Sequence, residues 1–382
     1  MSSLPEIFSP DGPLAKAIGG YRVRQQQVDM AERIAAAINS QSVFIAEAGT
    51  GTGKTFAYLV PALKSGGKVI VSTGTKTLQD QLFNKDLPMV RDALKAPVKI
   101  ALLKGRANYV CHYHLQNALA DGRFLTREDA ADARRISNFA KVTQSGDKAE
   151  CIEVSETSPV WNHATSTREN CLGQECPNHK ECFVMLARRE AMAADLVVVN
   201  HHLFFADVML RDEGMAELLP ACNTVIFDEA HQLPEVATLF FGDSTSTAQV
   251  LDLARDARTE GLTNARDCLD LQTASKQLEK VAKDTRLAVG IDAGRFSYGQ
   301  LTEKPEFLPA VKLLQDEIAS FAAILETQAE RGEGLEKCWQ RALELVERLA
   351  QWQKTGVNGY VRWAEAFTHS LQLNSTPLDV AE

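Results

Sequence analysis

The chain has 382 residues, 45% of them hydrophobic and 24% charged, which allows one large core or two to three domains and argues against global disorder. A polar, Pro-containing start without a basic or apolar leader predicts no secretory signal, and apolar runs of strand length, such as 196–199, predict no membrane span. The expected setting is therefore the cytoplasm, where eight cysteines are metal ligands or catalytic or buried thiols rather than a disulfide framework. A net charge of -9 confines any contact with nucleic acid to a local basic groove.

Taken in chain order, residues 42–47 (SVFIAE) read as a buried strand, followed by a Gly/Thr-rich turn and a helix over 54–63. Strands are predicted at 68–72 and 98–103 with a helix over 75–83 between them, and again at 195–199 and 224–228. Strands alternating with helices predict a parallel sheet covered on both faces. Residues 104–183 break the pattern: they are polar, hold five cysteines and lack a strand signal. From 235 to 356 apolar residues recur at helical spacing, as in Leu335, Trp339, Leu343, Leu345 and Leu349, and an all-helical insertion is expected. Residues 357–382, with strand-like segments at 360–367 and 369–373, are expected to rejoin the sheet.

Residues 48–55 read AGTGTGKT: Ala48, Gly49, Thr50, Gly51, Thr52, Gly53, Lys54, Thr55. Ala48 stands where the strict phosphate-loop pattern has glycine. Small residues let backbone N–H groups approach phosphates at a helix N-terminus, Lys54 would reach the β and γ phosphates of ATP, and the Thr55 hydroxyl would ligate Mg²⁺. DEAH follows the strand at 224–228, with Asp228 placed for Mg²⁺, Glu229 for polarising the attacking water, and His231 closing the motif.

Together AGTGTGKT and DEAH resemble a superfamily 2 helicase of the DEAH type. The segment 21–30 (YRVRQQQVDM) is similar to the family's adenine-recognition segment, with Gln27 at the matching position and Gln25 and Gln26 competing for the role. Residues 69–82 resemble the first DNA-contacting motif, which implicates Thr73, Thr75 and Gln79. Capping of the following helix is an alternative duty for Thr75. Asn200, His201 and His202 follow another strand end, and without nearby acids the histidine pair reads as packing rather than metal binding. Basic pairs at Lys104/Arg106, Arg134/Arg135 and Arg188/Arg189 are candidate phosphate contacts or solvated helix faces.

Cys171, Cys176 and Cys182 lack the close pairing of a zinc cage, and with Cys111 upstream they match iron–sulfur ligation better. Zinc with His112, His114 or His179, and plain buried thiols, are the alternatives. The arrangement resembles the iron–sulfur helicases of the xeroderma pigmentosum D and DinG family, the bacterial YoaA type being the nearer match. In that family four cysteines hold a [4Fe–4S] cluster, and Cys111 in GRANYVC is preferred over Cys151 on that resemblance.

The resemblance implies the following organisation: a first RecA-like domain over 1–103 and 184–234, an iron–sulfur insertion over 104–183, a helical arch over 235–356, and a return to the core at 357–382. No second RecA-like domain is legible, so the chain is expected to be the front part of a longer enzyme. The implied activity is ATP-driven translocation on single-stranded or forked DNA with 5′ to 3′ polarity, and a replication accessory subunit is a further candidate partner. A non-catalytic iron–sulfur DNA-binding module and a redox sensor are the rival readings.

Overall fold

A computed structural model describes residues 3–49, 51–122, 124, 126–212, 218–354 and 360–377. The chain divides into two compact units, Met1–Gly105 with Val184–Val236, and Arg106–Phe183 with Ala237–Glu382.

The first unit is built on four parallel strands, β1 (Val69–Thr73), β2 (Ile100–Leu102), β3 (Leu196–Asn200) and β4 (Thr224–Phe227), in the order β2-β3-β1-β4. β1 is buried along its whole length, as expected of a Val/Ile run in a sheet covered on both faces. Helices Gln25–Ser40, Lys54–Lys64 and Leu87–Leu94 contribute Val28, Leu59, Leu87 and Val90 to a core shared with Val69 and Val198. Each such side chain contributes about 1.5–3 kcal/mol on burial. The parallel register brings Thr73 beside Asn200 and Ser72 beside Phe227. Three strands therefore end at the same edge, the place where open α/β sheets bind ligands.

One expected strand is absent. Residues 42–47 have no strand structure, and Val43 and Ile45 are 90% and 89% exposed. An apolar run signals fitness for a sheet surface, but a strand also needs a hydrogen-bonding neighbour, and this segment pairs with none of the described strands.

The second unit joins the cysteine-rich segment to a helical bundle. The segment carries helices His112–Asp121 and Arg127–Val142, the latter started by a reciprocal cap between Thr126 and Asp129. The bundle consists of Thr247–Asn264, Leu269–Leu287, Phe307–Glu326 and Glu333–Gln353. In the last helix the buried stripe runs Leu335, Cys338, Ala342, Leu345, Leu349 and Trp352, whereas Leu343 is half exposed.

The region 235–356 is not all helical. It contains β5 (Asp243–Ser246) and β6 (Gly294–Ser297), which join β7 (Tyr360–Ala366) and β8 (Leu371–Pro377) in an antiparallel sheet ordered β5-β8-β7-β6. The C-terminal strands thus do not rejoin the parallel sheet. Their alternating residues Ala364, Ala366, Leu371 and Leu373 are buried in the same core as the bundle, and a tight turn from Phe367 to Ser370 pairs them locally. Among the described residues, no helix is long and apolar enough to cross a membrane.

Candidate functional site: a phosphate loop facing the DEAH turn

The loop before helix Lys54–Lys64 turns through glycines. Gly51 and Gly53 adopt φ of 78° and 81°, a region open to glycine at little cost. The Thr52 hydroxyl donates to the Gly49 carbonyl at 2.8 Å, closing the turn. Thr50 lies outside the described residues, while Ala48 and Thr55 are half-buried. The three competing glutamines separate clearly. Gln25 pairs with Asp29 at the surface and Gln26 is exposed. Gln27 is 2% exposed and its Nε2 donates to the Gly53 carbonyl at 2.9 Å.

Opposite this loop, β4 ends and the chain turns through Asp228 and Glu229. The Asp228 N–H donates to the Ser72 carbonyl at 2.8 Å, tying the turn to β1. Glu229 has φ 56° and ψ 45°, left-handed for a residue with a side chain. Lys54 Nζ lies 3.3 Å from Glu229 Oε1, both side chains about one-third exposed. Such a pair is worth at most about 1 kcal/mol, so Lys54 exchanges it readily for phosphate oxygens. The Tyr58 hydroxyl donates to Asp228 Oδ2 at 3.1 Å. Burial, and then the neighbouring Asp228 charge, raise the Tyr58 pKa well above its usual value, so it remains a donor. His231 Nδ1 lies 3.5 Å from Glu229 Oε2, with its side chain 71% exposed.

The residues expected to touch DNA fare differently. Thr73 and Gln79 are fully buried, which corrects their assignment to a contact surface. Gln79 Nε2 donates to the Leu103 carbonyl at 2.9 Å, so the amide holds the sheet edge together. Thr75 is exposed and caps helix Lys76–Gln81 through the Leu78 N–H. Lys104 is buried against Asp80 at 2.7 Å and is no groove-lining cation. Arg134 is exposed, whereas Arg135 is engaged by Glu128 at 2.8 Å and Asp132 at 2.6 Å, so its charge is already answered.

In the second unit, Cys111 immediately precedes helix His112–Asp121 and its N–H donates to the Ala164 carbonyl at 2.7 Å. Cys176 and Cys182 each follow a single 3-10 turn, and Cys171 Sγ accepts from Arg106 Nη1 at 3.1 Å. Burial pushes the Cys111 thiol up to about 12, and Cys176, Cys171 and Cys182 push the same way, which places the four thiols within electrostatic reach of one another. Among the described residues, no three His, Cys, Asp or Glu side chains converge closely enough to hold a single metal ion. Cys151 is buried elsewhere, with Glu153 and Val154 as its neighbours. His112 stacks on Phe183 and His114 Nε2 lies 3.3 Å from the Asn170 carbonyl, so both rings have other partners.

Known proteins resemble this chain in sequence. The family described as "DEAD/DEAH box helicase" matches residues 28–126. The protein named ATP-dependent DNA helicase YoaA from Haemophilus influenzae is 42% identical over 382 residues, covering all of this chain and 60% of that one. YoaA of Escherichia coli K12 is 42% identical over 379 residues, again 60% of its length. The chain is thus similar to helicases named YoaA and DinG, and part of it matches the DEAD/DEAH box helicase family. ATP-dependent helicase DinG of Mycobacterium tuberculosis is 33% identical over 308 residues, covering 74% of this chain and 44% of that one. The chain thus spans about three-fifths of the length of the YoaA helicases it matches.

Two residues of this site, Tyr58 and Ser72, escaped sequence reasoning. Tyr58 stands four positions after Lys54, hence on the same helix face, and that spacing is a legible signal. Ser72 and His201 are both fully buried and lie 2.7 Å apart, Ser72 Oγ to His201 Nδ1. Nothing in the sequence links them, because β1 and β3 become neighbours only through the parallel sheet.

Proposed function

We propose that the protein supplies the phosphate-binding and water-activating wall of the ATP site in an ATP-dependent DNA helicase. The observation that carries this reading is Lys54 Nζ standing 3.3 Å from Glu229 Oε1, with Asp228 held beside it by Tyr58. The loop N–H groups and Lys54 bind the β and γ phosphates. Thr55 and, through water, Asp228 would hold Mg²⁺, whose charge would offset that of the phosphates. Glu229 accepts a proton from the attacking water once Lys54 has turned to the phosphates. Gln27 places an amide beside the loop for the adenine edge. By resemblance, arginine fingers come from a second RecA-like domain and contribute about 10³–10⁵ in rate.

The reading extends to a [4Fe–4S] cluster on Cys111, Cys171, Cys176 and Cys182. Its support is the sequence resemblance together with the proximity of the four thiols, since Cys176, Cys171 and Cys182 all act on Cys111. Arg106 donates to Cys171 Sγ, which puts a cation beside one of the four sulfurs. When bound, the cluster would cross-link four chain positions. The segment 104–183 is then the cluster insertion and 235–356 the arch, together guiding a single strand with 5′ to 3′ movement as the resemblance implies.

The experiment is a paired substitution in the full chain. Lys54→Ala should abolish binding of fluorescent Mg·ATP, while Glu229→Gln keeps binding and loses hydrolysis. Equal hydrolysis by Glu229→Gln and the parent would remove the water-activating role.

A further inference from the structure

A buried histidine lies beside the DEAH turn. His201 is 0% exposed at the start of helix His201–Asp212, and Asn200 Oδ1 fixes that helix start by accepting the Leu203 N–H at 2.8 Å. The imidazole Nδ1 lies 2.7 Å from the hydroxyl of Ser72, also 0% exposed. Nε2 has no closed hydrogen bond, and the ring faces the backbone of Asp228 and Glu229. A fully buried polar atom without a partner costs about 1–3 kcal/mol, so its retention beside this turn asks for a function.

The chemistry of the surroundings selects one tautomer. With Nδ1 accepting from the Ser72 hydroxyl, Nε2 carries the proton, and a carbonyl oxygen, which only accepts, is the partner that suits it. The turn whose backbone acts on the ring is the one in which Glu229 adopts a left-handed backbone, costing about 1–2 kcal/mol for a residue with a Cβ. Such a conformation persists only where its surroundings hold it. The Asp228 N–H is already held by the Ser72 carbonyl, so Ser72 grips the turn twice, once through its backbone and once through His201.

We propose that His201 is the positioning residue of Glu229: Nε2–H closes onto the carbonyls of the DEAH turn when nucleotide is bound and fixes the carboxylate for water activation, with Ser72 setting the tautomer. The claim rests on the reading of Glu229 as the water-activating group. It also gives the end of β1, which leads into Thr73 and Thr75, a direct hold on the hydrolytic carboxylate.

The test uses His201→Ala, His201→Gln and Ser72→Ala in the full chain, with Mg·ATP affinity, ATP hydrolysis and amide hydrogen exchange as readouts. The Gln232 amide, which donates to the Glu229 carbonyl at 3.0 Å, reports the turn, and β1 amides report the fold. His201→Ala should leave affinity within about twofold, lower hydrolysis by up to about 10²-fold as expected for a misplaced group, and speed exchange at Gln232 but not in β1. His201→Gln, whose Nε2 still donates, should recover most of both losses. Unchanged exchange at Gln232 in His201→Ala would overturn the proposal whatever the turnover. Faster exchange throughout β1, unrelieved by glutamine, would assign His201 to packing and overturn it equally. Glu229→Gln in the same assay separates the two ideas: parental hydrolysis there sinks the role of Glu229, while the exchange data still decide whether His201 holds the turn.

Discussion

Gln27 Nε2 and the Gly53 carbonyl are joined at 2.9 Å, and a Cβ on residue 53 would stand 2.1 Å from that same nitrogen. Position 53 therefore has two independent reasons to be glycine, the close approach and a φ of 81°. Gly53→Ala should weaken Mg·ATP binding at least tenfold. Adding Gln27→Ala removes the clash and leaves the backbone strain, so the double variant should recover only part of the loss. Titration with a fluorescent nucleotide checks both, and full recovery in the double variant would discard the strain argument.

The cysteine set predicts a brown protein under anaerobic purification, with iron and sulfide in a ratio near one to one. Cys171→Ser should lose the metal and loosen the 106–183 segment, because metal binding and local folding are linked. Cys268→Ser should change neither, since Cys268 packs against the bundle core. Stoichiometric zinc without iron in anaerobic protein would contradict the cluster.

A buried ion pair sets the acid stability of the second unit. Burial opposes the Asp256 charge, but Arg255 and Arg341 outweigh it and hold the carboxyl below its ordinary value of 3.8. Arg341 Nη1 donates to Asp256 Oδ2 at 2.8 Å. A folded pKa below the unfolded one means that the stabilisation is complete above 3.8 and fades as pH falls through the lower folded value. Asp256→Asn leaves the buried Arg341 uncompensated and should cost about 3–5 kcal/mol at neutral pH. Urea denaturation of parent and variant from neutral pH down to about pH 3 should show the two curves converging in acid. Parallel curves would refute the linkage.

Arg134 and Gln79 should separate in a DNA-binding assay. Arg134 is exposed, and Arg134→Glu should weaken single-strand binding and reduce the log–log salt slope by about one unit. Gln79→Ala should instead lower stability by about 1–3 kcal/mol, because it strands the buried Leu103 carbonyl. A salt titration with a fluorescent oligonucleotide, set beside thermal melts, tests both. Unchanged affinity and slope for Arg134→Glu would remove it from the DNA path.

The phosphate loop and DEAH were legible because their chemistry is local. Glycine spacing, a lysine opening a helix and acids closing a strand are set by consecutive residues, and the strands at 69–73 and 196–200 by their apolar runs. The sequence by itself also brought four cysteines into one candidate set. Tertiary structure alone decided the rest. Which glutamine reaches the loop depended on how helix Gln25–Ser40 meets it. Thr73 is buried because parallel pairing covers the end of β1, and Gln79 because its helix packs on the sheet where the amide meets the Leu103 carbonyl. Ser72 met His201 across 129 residues of chain, and β7 and β8 chose β5 and β6 as neighbours rather than the parallel sheet. Side-chain periodicity tells which face of an element is covered, but the covering partner is chosen by the whole chain's packing, which no local pattern encodes.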